Sequence, residues 1–194
     1  MNAAVTLTRA LGLLLVAAAP AAAGPGPDAG KPAPPPERTF RDPTTGLVWQ
    51  LRGELPRAWS VIAKGYCRRL KHAGADDWRM PTIDELRSLV RGCKRTASRG
   101  RCRLRQRCSA EARCFSGNCR GCGKKATDRP DRCYWPAAFG KRCERVIWSC
   151  TTDRGRKVPV NWYLDFSTAG LIKGLWKRQV SSVFCVRGPD RRAQ

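Results

Sequence analysis

Apolar positions recur along this chain with two different periods, and the changes of period predict its elements. Leu47-Val48-Trp49-Gln50-Leu51 follows the turn residues Thr44-Thr45-Gly46 and reads as a short strand. Trp59, Ile62, Ala63, Tyr66, Cys67 and Leu70 then recur at helical spacing, between a Pro56 that can open a helix and a Gly74 that can close it. The opposite face carries Arg57, Lys64, Arg68 and Lys71, a solvated face, and His72, the only histidine, falls at the frayed end as a surface residue. Ile83, Leu86, Leu89 and Val90 fill one face of a second helix that Gly92 can end. In the last third Val158, Val160, Trp162, Leu164 and Phe166 alternate strictly, which predicts a strand with one apolar face. Residues 145–149, 171–172 and 183–186 are further strand candidates.

The sharpest local signal is Asp76-Asp77-Trp78-Arg79-Met80-Pro81-Thr82-Ile83-Asp84-Glu85-Leu86. Pro81 pushes Met80 toward extended geometry, and Thr82 with Glu85 has the spacing of a capping box. The result is a corner: a bulky aromatic, a forced extended step, then a helix start. Trp78 reads there as a core residue, and the spacing of Asp76, Asp77, Asp84 and Glu85 is explained by turn and cap.

Outside these elements, composition changes the picture at both ends. Arg9, an apolar run over residues 10–19 and Ala21-Ala22-Ala23 describe an export signal cut after Ala23. The run is short for a membrane span, so no membrane insertion is expected. Residues 24–37, mostly Pro, Gly and Ala, predict an extended tether, and 189–194 a basic tail. Residues 38–188 are enough for one domain with a real core, placed in the periplasm, at the cell surface or outside the cell.

Residues 91–145 have a different character, with 17 Lys or Arg against four Asp or Glu and little apolar periodicity. Cys102, Cys108, Cys114, Cys119, Cys122, Cys133, Cys143 and Cys150 punctuate this stretch and its exit. It reads as a long insertion held by covalent staples in place of a hydrophobic core. The chain has 11 cysteines, an odd number, so at least one thiol is free, joins another chain or exchanges. An oligomer is left open. The formal charge of +23 raises the local concentration of any polyanion. Arginine outnumbers lysine 28 to 10, which either a GC-rich genome or selection for forked contacts to sulfate and phosphate accounts for.

Catalysis has little to work with: one histidine, no G-x-S-x-G frame and few carboxylates, so neither an enzyme nor a cofactor is expected. Cys119-x-x-Cys122 is half of a zinc site that Cys114, Cys133 or Cys143 would complete, but an oxidising compartment favours disulfides. A calcium site in the loop before the late strands would have to use Asp153, Asn161 and Asp165, which Arg154, Arg156 and Lys157 crowd. Polyanion binding is the sharper hypothesis. Arg99, Arg101, Arg103, Arg105 and Arg107 alternate, so an extended segment would project them as a ladder of cations, with Arg113, Arg120, Lys124 and Lys125 close behind. The competing reading is that they solubilise a coreless loop. Nucleic acid would bind non-specifically, by charge, because Tyr134-Trp135 is the one obvious aromatic pair among the cations.

Taken in order, Thr45-Gly46-Leu47-Val48-Trp49-Gln50, Tyr66-Cys67-Arg68-Arg69-Leu70, the Asp77-Trp78-Arg79-Met80-Pro81 corner, Val146-Ile147-Trp148-Ser149, Trp162-Tyr163-Leu164-Asp165-Phe166 with Gly170, and Cys185-Val186-Arg187-Gly188 resemble the Lcl C-terminal domain family. That family, named for a bacterial collagen-like adhesin, usually has Leu where Met80 stands. The resemblance implies an α+β, C-type lectin-like domain: two helices against a small twisted antiparallel sheet, chain ends close together, with a long disulfide-rich loop insertion here. It also implies a bridge from the first helix to the last strand, the positions of Cys67 and Cys185, worth roughly 4 to 5 kcal/mol for so long a loop. The adhesin's association with sulfated glycosaminoglycans makes an anionic polysaccharide the expected partner. Formylglycine-generating enzymes share the lectin-like fold, but fold kinship does not transfer activity. The expectation is therefore an exported binding domain for anionic polymers. A structural or assembly protein of the cell envelope is the alternative, and an enzyme on the loop surface ranks third.

Overall fold

The computed structural model describes residues 38–51, 57–58, 60–106, 114–123, 133–140, 146–153, 155, 160–175 and 181–188. The export signal, the tether and the tail lie outside them, as do Trp59, Val158, Arg107, Cys108, Arg113, Lys124, Lys125 and Cys143.

The domain opens with β1 (Arg38–Arg41) and β2 (Val48–Leu51), joined by a turn that Asp42 organises. Its carboxylate accepts from the Thr45 hydroxyl at 2.7 Å and the Thr44 N–H at 3.2 Å. The last strand, β8 (Val186–Arg187), pairs with β2, so both ends of the domain meet in one sheet of order β1-β2-β8. A second sheet contains β3 (Arg57–Ala58), β7 (Ser181–Ser182), β4 (Val146–Asp153), β5 (Val160–Asp165) and β6 (Gly170–Leu175), in that spatial order.

Two small sheets thus replace the single antiparallel sheet expected, and β4 pairs with β7 in parallel. The reason lies in residues 183–185, where Val183, Phe184 and Cys185 sink into the core between β7 and β8. The chain leaves one sheet there and enters the other.

Helix α1 (Ser60–Arg69) buries Ala63 and Cys67, followed by Leu70 beyond its end. Ile62, expected on that buried face, is 49% exposed, because the narrow i, i+4, i+7 stripe of 63, 67 and 70 meets the sheet. The helix stops short of Gly74. His72 and Ala75 exchange backbone hydrogen bonds of 3.0 and 3.1 Å across a turn in which Ala73 and Gly74 both have positive φ.

This turn corrects the reading of His72 as a surface residue. Trp78 is buried, as expected, and its indole N–H donates to the carbonyls of His72 and Ala75, each at 3.1 Å. A buried indole needs such an acceptor. Folding the turn over it carries His72 inside, edge-on to Trp78 at 5.5 Å, with Nε2 3.0 Å from the Arg38 carbonyl.

Helix α2 (Ile83–Ser88) starts as the sequence predicts. Thr82 accepts from the Glu85 N–H at 3.2 Å, and the Glu85 carboxylate accepts from the Thr82 N–H at 2.8 Å. It ends earlier than expected, capped at Leu89, three residues before Gly92, although Leu89 and Val90 remain buried.

The five-stranded sheet is covered on both faces. Ile147, Trp162 and Leu164 join a large cluster with Trp49, Ile83, Leu86 and Phe184, whereas Trp148 and Tyr163 join Cys67, Trp78, Met80 and Val183 on the other side. The Cys67–Cys185 bridge, Cα to Cα 5.5 Å, ties α1 to the segment entering β8. Leu104, Tyr134 and Trp135 of the insertion also belong to the large cluster. The expectation of staples in place of a core is therefore corrected: the insertion has staples and docks on the core as well.

Candidate functional site

The insertion leaves α2 through irregular backbone whose buried carbonyls have no ladder to satisfy them. Arg87 supplies the donors. Its side chain is fully buried and donates through Nε to Thr96 O at 2.7 Å, and through Nη2 to Ala97 O at 3.0 Å and Cys102 O at 2.9 Å. Nη1 donates to Leu104 O, and Asp84 lies 3.7 Å away. One planar guanidinium thus fixes the path of residues 96–104. Gly100 allows a tight return, since a Cβ there would stand 2.4 Å from the Lys94 carbonyl.

Two disulfides complete the loop. Cys93 joins Cys122 and Cys102 joins Cys119, with Cα separations of 5.9 and 4.7 Å. The two cysteines of the C-x-x-C motif therefore serve different bridges, which corrects any reading of Cys119 and Cys122 as half of a zinc site. Cys114 and Cys133 are disulfide-bonded as well. Gly121, φ +86°, fits where a Cβ would come within 2.3 Å of Thr168 O, so the 117–122 turn lies directly against the turn before β6.

Along residues 101–104 burial alternates: Cys102 and Leu104 face the core, and Arg101 and Arg103 are exposed. Arg99 and Arg120 are exposed too. Arg101 and Arg103 flank Cys102, and Arg120 follows Cys119. Across a bridge of 4.7 Å their Cα atoms fall within about 12 Å of one another. Arg105 departs from the expected ladder. It is half-buried, its Nη1 donates to Cys102 O at 3.2 Å and Leu104 O at 3.3 Å, and its Nε stands 3.8 Å from Asp84. Arg107, Arg113, Lys124 and Lys125 lie outside the described residues.

Four described acids, Asp42, Asp77, Asp84 and Glu85, are engaged within the fold. Glu85 takes a forked contact from Arg79 at 2.6 and 2.8 Å, Asp77 pairs with Arg187 at 2.7 Å, and buried Asp42 lies 3.5 Å from Arg91. Asp84 accepts from the Gln106 N–H at 2.9 Å. Burial pushes its carboxyl above the ordinary value, against that hydrogen bond and the Arg105 charge, with Glu85 adding to the rise. The residues considered for calcium hold turns and strands. Asp153 accepts from Gly155 N–H, Asp165 from Ser167 and Thr168, and Asn161 donates to Ser149 O. Among the described residues, Arg99, Arg101, Arg103 and Arg120 make no ion pair.

Arg87 was missed in the sequence, though a signal existed. It occupies the i+4 position of Ile83, inside the apolar stripe of α2, where a charged residue has to be paired or hydrogen-bonded.

Fold and surface together define an α+β domain in which two helices, two small sheets and disulfides support a cationic loop. The model of the Lcl C-terminal domain family matches residues 38–187, and the chain belongs to that family. No curated protein and no solved structure matches it.

Proposed function

We propose that this chain is an exported, non-enzymatic, lectin-like binding domain that holds anionic polymers, sulfated or phosphorylated glycans, on the surface around the Cys102–Cys119 bridge. The observation that carries this reading is the division of charge. Asp42, Asp77, Asp84 and Glu85 are occupied by partners within the fold, while Arg99, Arg101, Arg103 and Arg120 are exposed with no ion pair among the described residues. Guanidinium forks match sulfate and phosphate oxygens, and a polymer engages several at once. The lectin-like assignment is supported by the joined chain ends and by the bridge from α1 to the last strand. The disulfides fit an oxidising compartment.

The test is retention on immobilised heparin across a salt gradient. Replacing Arg101, Arg103 and Arg120 together with Ser lowers affinity and reduces the slope of log K against log salt by about two to three. Thermal stability stays unchanged, because none of the three side chains makes a hydrogen bond or ion pair among the described residues. Arg105 is left intact in this variant, since its contacts to Cys102 and Leu104 belong to the loop's structure. An unchanged salt slope would place the binding surface elsewhere or remove it.

A further inference from the structure

The three bridges whose cysteines both lie among the described residues differ in access. Cys67, Cys185, Cys102 and Cys119 are all fully buried. In the Cys93–Cys122 bridge, Cys93 is buried but Cys122 is exposed. The buried sulfur also has a donor: the Thr96 hydroxyl donates to Cys93 Sγ at 3.3 Å. Thr96 itself is fixed, fully buried, with its carbonyl held by Arg87. Thiol–disulfide exchange asks for one reachable sulfur to attack and one stabilised thiolate to leave. This bridge has a solvent-exposed residue at one end and a hydrogen-bonded sulfur at the other.

We propose that Cys93–Cys122 is a site of reversible thiol–disulfide exchange, a substrate for a dithiol oxidoreductase, with Cys122 the attacked sulfur and Cys93 the leaving one. A thiolate of the oxidoreductase forms a bond to Cys122 Sγ as the Cys93–Cys122 bond breaks. The electron pair goes to Cys93 Sγ, whose charge the Thr96 hydroxyl stabilises before the thiolate takes a proton from water. The oxidoreductase's second thiolate then attacks its own sulfur in the mixed disulfide, releasing Cys122 as a thiolate that is protonated in turn. The bridge has gained two electrons and two protons, and the dithiol has become a disulfide. Opening is local: Cys102–Cys119 still clips the loop, and the Cys122 N–H remains on Thr168 O at 2.9 Å. What is released is the covalent link between the 94–100 turn, with its Lys94 and Arg95, and the segment carrying Arg120.

The experiment is timed reduction of the native, folded protein with dithiothreitol or thioredoxin, quenched by alkylation and read by peptide mapping, with no polymer ligand present. Labelled Cys93 and Cys122 are expected about tenfold faster than the cysteines of either buried bridge. Appearance of Cys102, Cys119, Cys67 or Cys185 before them, or at the same rate, overturns the proposal. Thr96→Val slows reduction of this bridge about threefold, and Thr96→Ser restores it. A folded Thr96→Val protein reacting at the wild-type rate overturns the leaving-group assignment. Should Thr96→Val fail to fold, the partition among bridges in the wild-type protein and in Thr96→Ser still decides the site.

Discussion

Helix α2 and the loop that follows it handle the same problem, buried backbone polar groups, by opposite means. In α2 the groups are satisfied locally, by the helix and by the reciprocal cap of Thr82 and Glu85. From Thr96 to Leu104 the chain forms no helix or strand, and the Arg87 side chain gathers the carbonyls of Thr96, Ala97, Cys102 and Leu104. The body of the domain is held by packing of tryptophans and aliphatic residues on both faces of a sheet. The insertion is held by one guanidinium and by disulfides, with Leu104, Tyr134 and Trp135 as its anchors on the core. Irregular backbone persists in an interior when something outside it supplies the donors, and here that leaves Arg99, Arg101 and Arg103 facing solvent.

The comparison is broken most severely from the body's side. Trp78→Ala removes a buried ring and the acceptor pairing that folds the 72–75 turn, and is expected to cost about 3 to 5 kcal/mol in urea unfolding. Replacing Cys102 and Cys119 together by Ser costs about 3 kcal/mol on a chain-entropy estimate, read the same way. Hydrogen exchange should then rise over residues 93–106 while β4 and β5 keep their protection. Equal loss of protection throughout would show that insertion and body unfold as one unit.

Arg87→Lys sharpens the contrast further. A point-like ammonium cannot serve four carbonyls arranged around a plane, so a loss of about 2 kcal/mol is expected, with faster exchange confined to the loop. The smallest effect belongs to Asp84. Its folded-state carboxyl titrates above the ordinary value of 3.8, so the native state holds the proton more tightly than the unfolded one. The resulting contribution to stability is present below that ordinary value and is lost as pH rises through the raised one. Asp84→Asn should flatten that descent in a plot of unfolding free energy against pH.

Several elements were legible from residues alone. Thr82, Glu85 and Pro81 act on neighbours a few bonds away, so the corner and the start of α2 follow from local chemistry wherever the chain goes next. Leu86, Leu89 and Val90 went to the core as their period required. His72 and Ile62 did not follow their local pattern. The fate of His72 depends on Trp78 needing an acceptor, and that of Ile62 on which stripe of α1 meets a sheet assembled from strands far along the chain.

What the sequence by itself determined is the two helices, the strands β2, β4, β5 and β6 and their order, the cationic character of residues 91–145 and, through family resemblance, the Cys67–Cys185 pair. The strands β1, β3 and β7 went unread, and of the 183–186 strand candidate only Val186 lies in a strand. Tertiary structure alone decided that the strands form two sheets, that Cys119 and Cys122 part to different bridges, and that Arg87 turns inward while Arg101 and Arg103 turn out. The physical reason is range. Caps, turns and periodicity are set by covalent neighbours, whereas burial of a charge or the partner of a cysteine is settled by groups that come near only when the whole domain has closed.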